Sequence, residues 1–157
     1  MPLAELPFGF KGRIYGSAMP FGAYDENGKT YQAYIAHAVS VIVVLAADEE
    51  CFQQSNRALR TFYSEQGFRV IHLPIADRGV PSRQEMAVAV AATVEQAQKG
   101  HHVAIHCLAG LGRTGTFAAC MAKQTLGLTG KQALRWVRKY LPDAVETSGQ
   151  KQFVLEY

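Results

Sequence analysis

The chain has 157 residues, of which 48% are apolar and 18% charged, with 16 basic and 13 acidic side chains for a net charge of +3. That length fits one domain over residues 1–157, with a core large enough to need no disulfide or metal staple. The mild charge excludes the concentrated basic face of a general nucleic-acid binder, and the composition excludes collagen-like and low-complexity chains.

Three cysteines, Cys51, Cys107 and Cys120, form no close pair and no zinc-type spacing. A reducing compartment, and hence a cytoplasmic location, is expected. The apolar runs fall short of the ~18 residues that cross a bilayer, so no membrane insertion is expected. Met1 is followed by Pro-Leu-Ala-Glu with no basic region, so no secretory leader is expected either.

Residues 7–30 are rich in glycine, proline and aromatics, with a short strand predicted at 13–15. Helical spacing follows at Tyr31, Tyr34, Ile35 and Ala38. Val41-Ile42-Val43-Val44-Leu45 is a continuous, mostly β-branched run, the pattern of a strand buried on both faces of a parallel sheet. One helix is predicted over 49–66, closed by Gly67, and then a strand over 68–73. Residues 76–81 read as a loop. Ser82-Arg83-Gln84-Glu85 is a capping box opening a helix to about Lys99. A strand at 102–106 leads into a glycine-punctuated loop at 107–112, and a helix runs on to about Leu126. Thr129 caps another helix that stops before Pro142, and a last helix begins near Thr147 or Ser148. This alternation predicts an α/β fold: a single domain with a central, mostly parallel twisted sheet of four to five strands, flanked by helices on both faces. Ligands in such sheets bind beyond the carboxyl ends of the strands, where residue 107 sits.

The stretch His106-Cys107-Leu108-Ala109-Gly110-Leu111-Gly112-Arg113-Thr114-Gly115 carries the chemistry. A buried strand delivers a cysteine, five residues follow, and an arginine opens a helix. Converging backbone N–H groups in such a loop make an anion nest, and the helix N-terminus adds partial positive charge. Gly110 and Gly112 allow backbone conformations closed to other residues. Arg113 can grip two oxygens of a tetrahedral oxyanion with its planar fork. The same field favours the thiolate of Cys107 as a nucleophile. Thr114 is placed to donate a hydrogen bond to that sulfur. A Walker loop would end in Gly-Lys-Ser/Thr, whereas this one ends in Gly-Arg-Thr.

His-Cys, five residues, then Arg-Thr resembles the signature of the cysteine-based protein phosphatases, the tyrosine and dual-specificity group. All ten positions fit, and the wider likeness runs from about Arg13 onward, in the compact dual-specificity size class. The resemblance implies Cys107 as nucleophile, Arg113 as phosphate-gripping cation and Thr114 as loop hydroxyl. It also implies a phosphate-binding loop of Leu108, Ala109, Gly110, Leu111, Gly112 and Arg113, with His106 as its structural support. A leaving alkoxide or phenolate needs a proton, and Asp77, in a loop 30 residues before Cys107, matches the family's general acid. Near the C-terminus, Gln150, with Gln152 as the alternative, matches a glutamine that helps place the hydrolytic water.

The expected function is hydrolysis of phosphotyrosine, and also of phosphoserine or phosphothreonine, in proteins through a cysteinyl-phosphate intermediate. A phosphoinositide or inositol-polyphosphate phosphatase and a non-catalytic phospho-binding module remain alternatives. Leu108 and Leu111 stand where inositol-lipid relatives often carry lysine. No metal or cofactor is expected. The expected partners are a phosphorylated protein or peptide and a phosphate or sulfate anion in the loop, with no nucleic acid, and the chain is expected to be a monomer.

Other features read as scaffold. Asp48, Glu49 and Glu50 look like the acidic first turn of a helix, with a secondary acid as the alternative. Arg78 is expected to lie exposed beside Asp77, either solvated or meeting an acidic substrate. Cys51 and Cys120 read as packed. His101 and His102 have no metal-ligand spacing. Leu134, Trp136, Val137 and Leu141 form a core face, with Arg135, Arg138 and Lys139 on the solvated side of that helix.

Overall fold

The computed structural model describes residues 2–157. Five strands, β1 (Leu3–Leu6), β2 (Ile14–Ser17), β3 (Val39–Val44), β4 (Arg69–His72) and β5 (His102–His106), form one sheet in the order β1-β2-β5-β3-β4. The helices are α1 (Lys29–Ala36), α2 (Asp48–Ser55), α3 (Leu59–Glu65), α4 (Arg83–Gln98), α5 (Gly112–Leu126), α6 (Gly130–Tyr140) and α7 (Ser148–Glu156). β2, β5, β3 and β4 run parallel, while β1 pairs antiparallel with β2 at one edge. The strand β1 has no counterpart in the sequence reading. Leu-Ala-Glu-Leu is built from helix formers, and only its pairing with β2 makes it a strand.

The continuous apolar run of β3 is explained by what covers it. Val41, Val43 and Leu45 face one core with residues of α4, α5, α6 and α7. Val39, Ile42 and Val44 face a second core with residues of α1, α2 and α3. From Val41 on, alternate side chains fill the two cores, and a register shift between Val39 and Val41 sets Val39 in the second; each fully buried Val or Ile contributes roughly 1.5–3 kcal/mol. The capping boxes at Ser82–Glu85 and Thr129–Gln132 form as predicted, each with reciprocal side-chain to backbone hydrogen bonds.

The helix predicted over 49–66 is two helices. Asn56 adopts a left-handed φ of 57° and ends α2, while Ser55 Oγ donates to the Cys51 carbonyl at 2.6 Å and accepts from Arg57 N–H at 3.2 Å. Serine and asparagine compete with the helix backbone in this way, and asparagine is among the few residues that tolerate the left-handed region. Arg57 then lies over the Phe21 ring at 4.0 Å and turns the chain into α3. Arg138 is also less free than predicted: its guanidinium donates to the carbonyls of Ala144 and Val145 at 2.9 and 3.1 Å. Among the described residues, no helix is long and apolar enough to cross a membrane.

Candidate active site

The carboxyl ends of the parallel strands converge on one cavity of about 140 Å3, lined among others by Tyr24, Asp77, Arg78, Cys107, Arg113 and Gln150. Its floor follows β5. Cys107 is 3% exposed, and its Sγ accepts hydrogen bonds from Gly110 N–H at 3.3 Å and Thr114 Oγ1–H at 3.2 Å. Two donors aimed at one sulfur fix its place at the foot of the loop. Within the loop, the Leu108 carbonyl accepts from Met19 N–H at 2.9 Å and the Leu111 carbonyl from Val145 N–H at 3.2 Å. Carbonyls bonded outward leave the loop's concave side to N–H donors, of which that of Gly110 is taken by the sulfur. Gly110 has φ +83°, and a Cβ there would sit 2.5 Å from the Ser17 carbonyl oxygen, so no other residue fits.

His106 supports the loop from below and is fully buried. Its Nδ1 lies 3.0 Å from the Cys107 carbonyl oxygen and its Nε2 lies 3.0 Å from Tyr63 Oη. A carbonyl only accepts, so the ring proton sits on Nδ1, and Nε2 accepts from the tyrosine hydroxyl. Burial pushes the His106 pKa down to about 4 and that of the Tyr63 phenol well above its ordinary value, so both stay neutral. An unfolded histidine has a pKa of about 6.5. As the pH falls from about 6.5 to about 4, the unfolded chain therefore takes up a proton that the folded ring refuses. The resulting stability is complete above pH 6.5 and is lost on acidification, by up to about 3 kcal/mol. Imidazole NMR should show His106 neutral down to about pH 4, with chemical denaturation reporting the loss of stability.

Arg113 is 2% exposed, yet both ends of its guanidinium are engaged. Nη1 donates to Glu50 Oε1 and to the Ile75 carbonyl, each at 2.9 Å. Nη2 donates to Glu50 Oε2 at 2.7 Å and to Asp77 Oδ1 at 3.2 Å. The carboxylates face Arg113 from the ends of β3 and β4, in the fork-to-carboxylate geometry that a phosphate also satisfies. Glu50 does lie in the first turn of α2, as the sequence reading has it. Its partnership with Arg113 was not read. The available signal was its place just past a strand end at the same sheet edge. Asp48 is occupied elsewhere, in an exposed pair with Arg60 at 2.6 Å. A Glu50→Gln variant keeps the shape but loses the charge on the fork, so kcat/KM should fall about 10-fold to 100-fold, measured by steady-state kinetics.

The structure thus brings together Cys107, Thr114, Arg113, Asp77 and Gln150. Asp77 is largely exposed, at 63%, and Arg78 is exposed beside it. Gln150 is fully buried and lines the cavity, whereas Gln152 is exposed and bonds Glu156 at 2.6 Å. Burial pushes both other thiols, Cys51 and Cys120, up to about 12, which leaves them poor nucleophiles at neutral pH. His102 accepts a hydrogen bond from Arg13 N–H. A larger groove of about 770 Å3 lies between α2 and α3, but it is lined by no cysteine or histidine.

Residues 18–125 match a family model described as a DSP-PTPase phosphatase of polymorphic toxin systems. An uncharacterised protein of Methanocaldococcus jannaschii is 38% identical over 89 residues, covering 55% of this chain and 54% of that protein. The tyrosine-protein phosphatase cdc-14 of Caenorhabditis elegans is 32% identical over 139 residues, covering 84% of this chain and 18% of that protein. The chain therefore spans about half the length of the first relative and under a fifth of the second. The crystal structure of Tk-PTP in its active form superposes with a TM-score of 0.80 at 29% identity, covering 98% of this chain and 95% of that one.

Proposed function

Since this chain belongs to the DSP-PTPase phosphatase family, we propose that it hydrolyses phosphotyrosine, and also phosphoserine or phosphothreonine, in proteins by way of a phosphocysteine. The observation that carries this reading is the Cys107 sulfur, bonded by Gly110 N–H and Thr114 O–H at the foot of a loop that ends in Arg113.

In the proposed reaction a phosphate dianion takes the place of the Asp77 carboxylate on Arg113, and the freed carboxylate, now beside the dianion instead of the cation, takes up a proton from solvent. The loop amides and the guanidinium hold the three non-bridging oxygens as charge shifts among them. Cys107 Sγ attacks phosphorus in line, the P–S bond forms, and the P–O bond to the leaving group breaks. Its electron pair stays on the leaving oxygen, which takes a proton from Asp77. Water then attacks phosphorus and gives its proton to Asp77, the P–S bond breaks, and phosphate leaves with the thiolate restored. Gln150 has one amide hydrogen left over for that water, since the other is bonded to Gly79. The charge work falls to the loop and Arg113, so the proposal includes no metal.

With leucine at 108 and 111, Arg113 is the one cationic side chain of the loop, which supports a phosphoprotein over a highly charged inositol polyphosphate. The three free thiols support a reducing compartment. The test is phosphate release in EDTA from phosphotyrosyl and phosphothreonyl peptides and from inositol phosphates. Turnover of the peptides is expected. Turnover of inositol phosphates alone would move the substrate class, and binding of phosphopeptide without turnover would make the chain a phospho-binding module.

A further inference from the structure

The Asp77 carboxylate is bonded to Arg113 alone among the described residues. Once a phosphate occupies Arg113, only the backbone of its turn sets where that carboxyl sits. The turn is closed by Gly79 N–H on the Ala76 carbonyl at 2.8 Å, with Asp77 and Arg78 at its centre. Arg78 has φ 65°, a left-handed conformation that favours glycine, so the turn needs support from outside. That support comes from the cap of α7, some 70 residues away in sequence. Thr147 Oγ1 donates to the Arg78 carbonyl and Gln150 Nε2 donates to the Gly79 carbonyl, both at 3.3 Å. The Gln150 amide is itself held, because its Oε1 accepts from Glu146 N–H at 3.0 Å and Thr147 N–H at 3.1 Å. It also abuts the start of α5, where a Cβ on Gly112 would lie 3.2 Å from Gln150 Oε1. One buried amide thus spans the turn that carries Asp77 and the helix that follows the Cys107 loop.

We infer that Gln150, with Thr147, is a positioning residue for the general acid: it holds the Ala76–Gly79 turn so that Asp77 stands over Cys107 when the leaving oxygen needs its proton. This rests on Asp77 being that acid. It assigns Gln150 to the first chemical step, formation of phosphocysteine, whereas a glutamine that only places water acts in the second.

The two steps separate by leaving group. A phenol of high pKa needs the acid, while a strongly acidic nitrophenol leaves without it. Gln150→Glu keeps two oxygens for the Glu146 and Thr147 N–H groups but has no hydrogen for Gly79. For a poor aryl leaving group this variant should lose about 10-fold in kcat/KM, and for a good one under about twofold. Thr147→Val should repeat the pattern and Thr147→Ser restore it, with Tm recorded for each. In an Asp77→Asn background, Gln150→Glu should add no further loss, because it acts through the missing carboxyl. An equal loss on both leaving groups would make Gln150 a merely structural residue and overturn the inference. So would an unchanged kcat/KM with phosphoenzyme accumulating, the mark of a role confined to water. If Asp77→Asn itself is indifferent to the leaving group, the acid assignment falls and the inference with it. Sensitivity in Asp77→Asn alone removes only the inference.

Discussion

Cys107→Ser should abolish turnover, by at least about 10⁴-fold in kcat, while the protein keeps its fold and its hold on phosphopeptide. The substitution exchanges one atom at a position that is 3% exposed, and an oxygen accepts the Gly110 and Thr114 hydrogen bonds as sulfur does. Stability should therefore change by no more than about 1 kcal/mol. What changes is the nucleophile, since a serine hydroxyl has no base beside it and remains protonated at neutral pH. Calorimetry with a phosphotyrosyl peptide should give an affinity at or above that of the unsubstituted protein, because the loop amides and Arg113 are untouched. Turnover within 10-fold of the unsubstituted rate would place the chemistry on another group.

Arg113→Lys should cost about 10³-fold in kcat/KM although the charge is kept. Lysine has three donors on one nitrogen and cannot span both Glu50 oxygens, the Ile75 carbonyl and a phosphate together. Arg113→Ala should behave differently. It leaves Glu50, at 19% exposure, without its cation, so about 3–5 kcal/mol of stability should go as well. Kinetics and denaturant midpoints on the two variants separate the loss of the fork from the loss of the charge. A lysine variant within 10-fold of the unsubstituted enzyme would mean that point charge alone suffices.

The parts of this molecule that were legible in its sequence are those specified by local pattern. Val41–Leu45 is apolar at every position, which only a strand covered on both faces tolerates. Ser82–Glu85 and Thr129–Gln132 announce their helices because a capping box is made of residues three apart. The loop from Cys107 to Arg113 is equally local, with donors, glycines and cation in one continuous stretch. The break lies in Ser55-Asn56, two residues that compete with the helix backbone, and the helix predicted over 49–66 runs straight across it. Partnerships between distant segments were not legible. Glu50 meets Arg113 across 63 positions, Gln150 meets Gly79 across 71, and β1 becomes a strand only by pairing with β2. A place just past a strand end puts Glu50 at the right sheet edge, but it does not name Arg113 as its partner, since tertiary packing sets which sheet-edge loops face each other.

If the phosphoryl group passes through Cys107, it can be trapped there within one turnover. The protein would be mixed with a phosphotyrosyl peptide, quenched in acid within one turnover, cut with trypsin and weighed by mass spectrometry. Trypsin cuts after Lys99 and Arg113, and the peptide between them holds Cys107 as its one cysteine, with no serine, threonine or tyrosine. It also holds three histidines, so fragmentation of the peptide would locate the added mass on Cys107 rather than on an imidazole. This peptide should carry one phosphoryl group that disappears on further incubation, and Cys107→Ser should never show it. Full turnover with this peptide unmodified at every quench time, or with the phosphoryl group on another peptide, would contradict it.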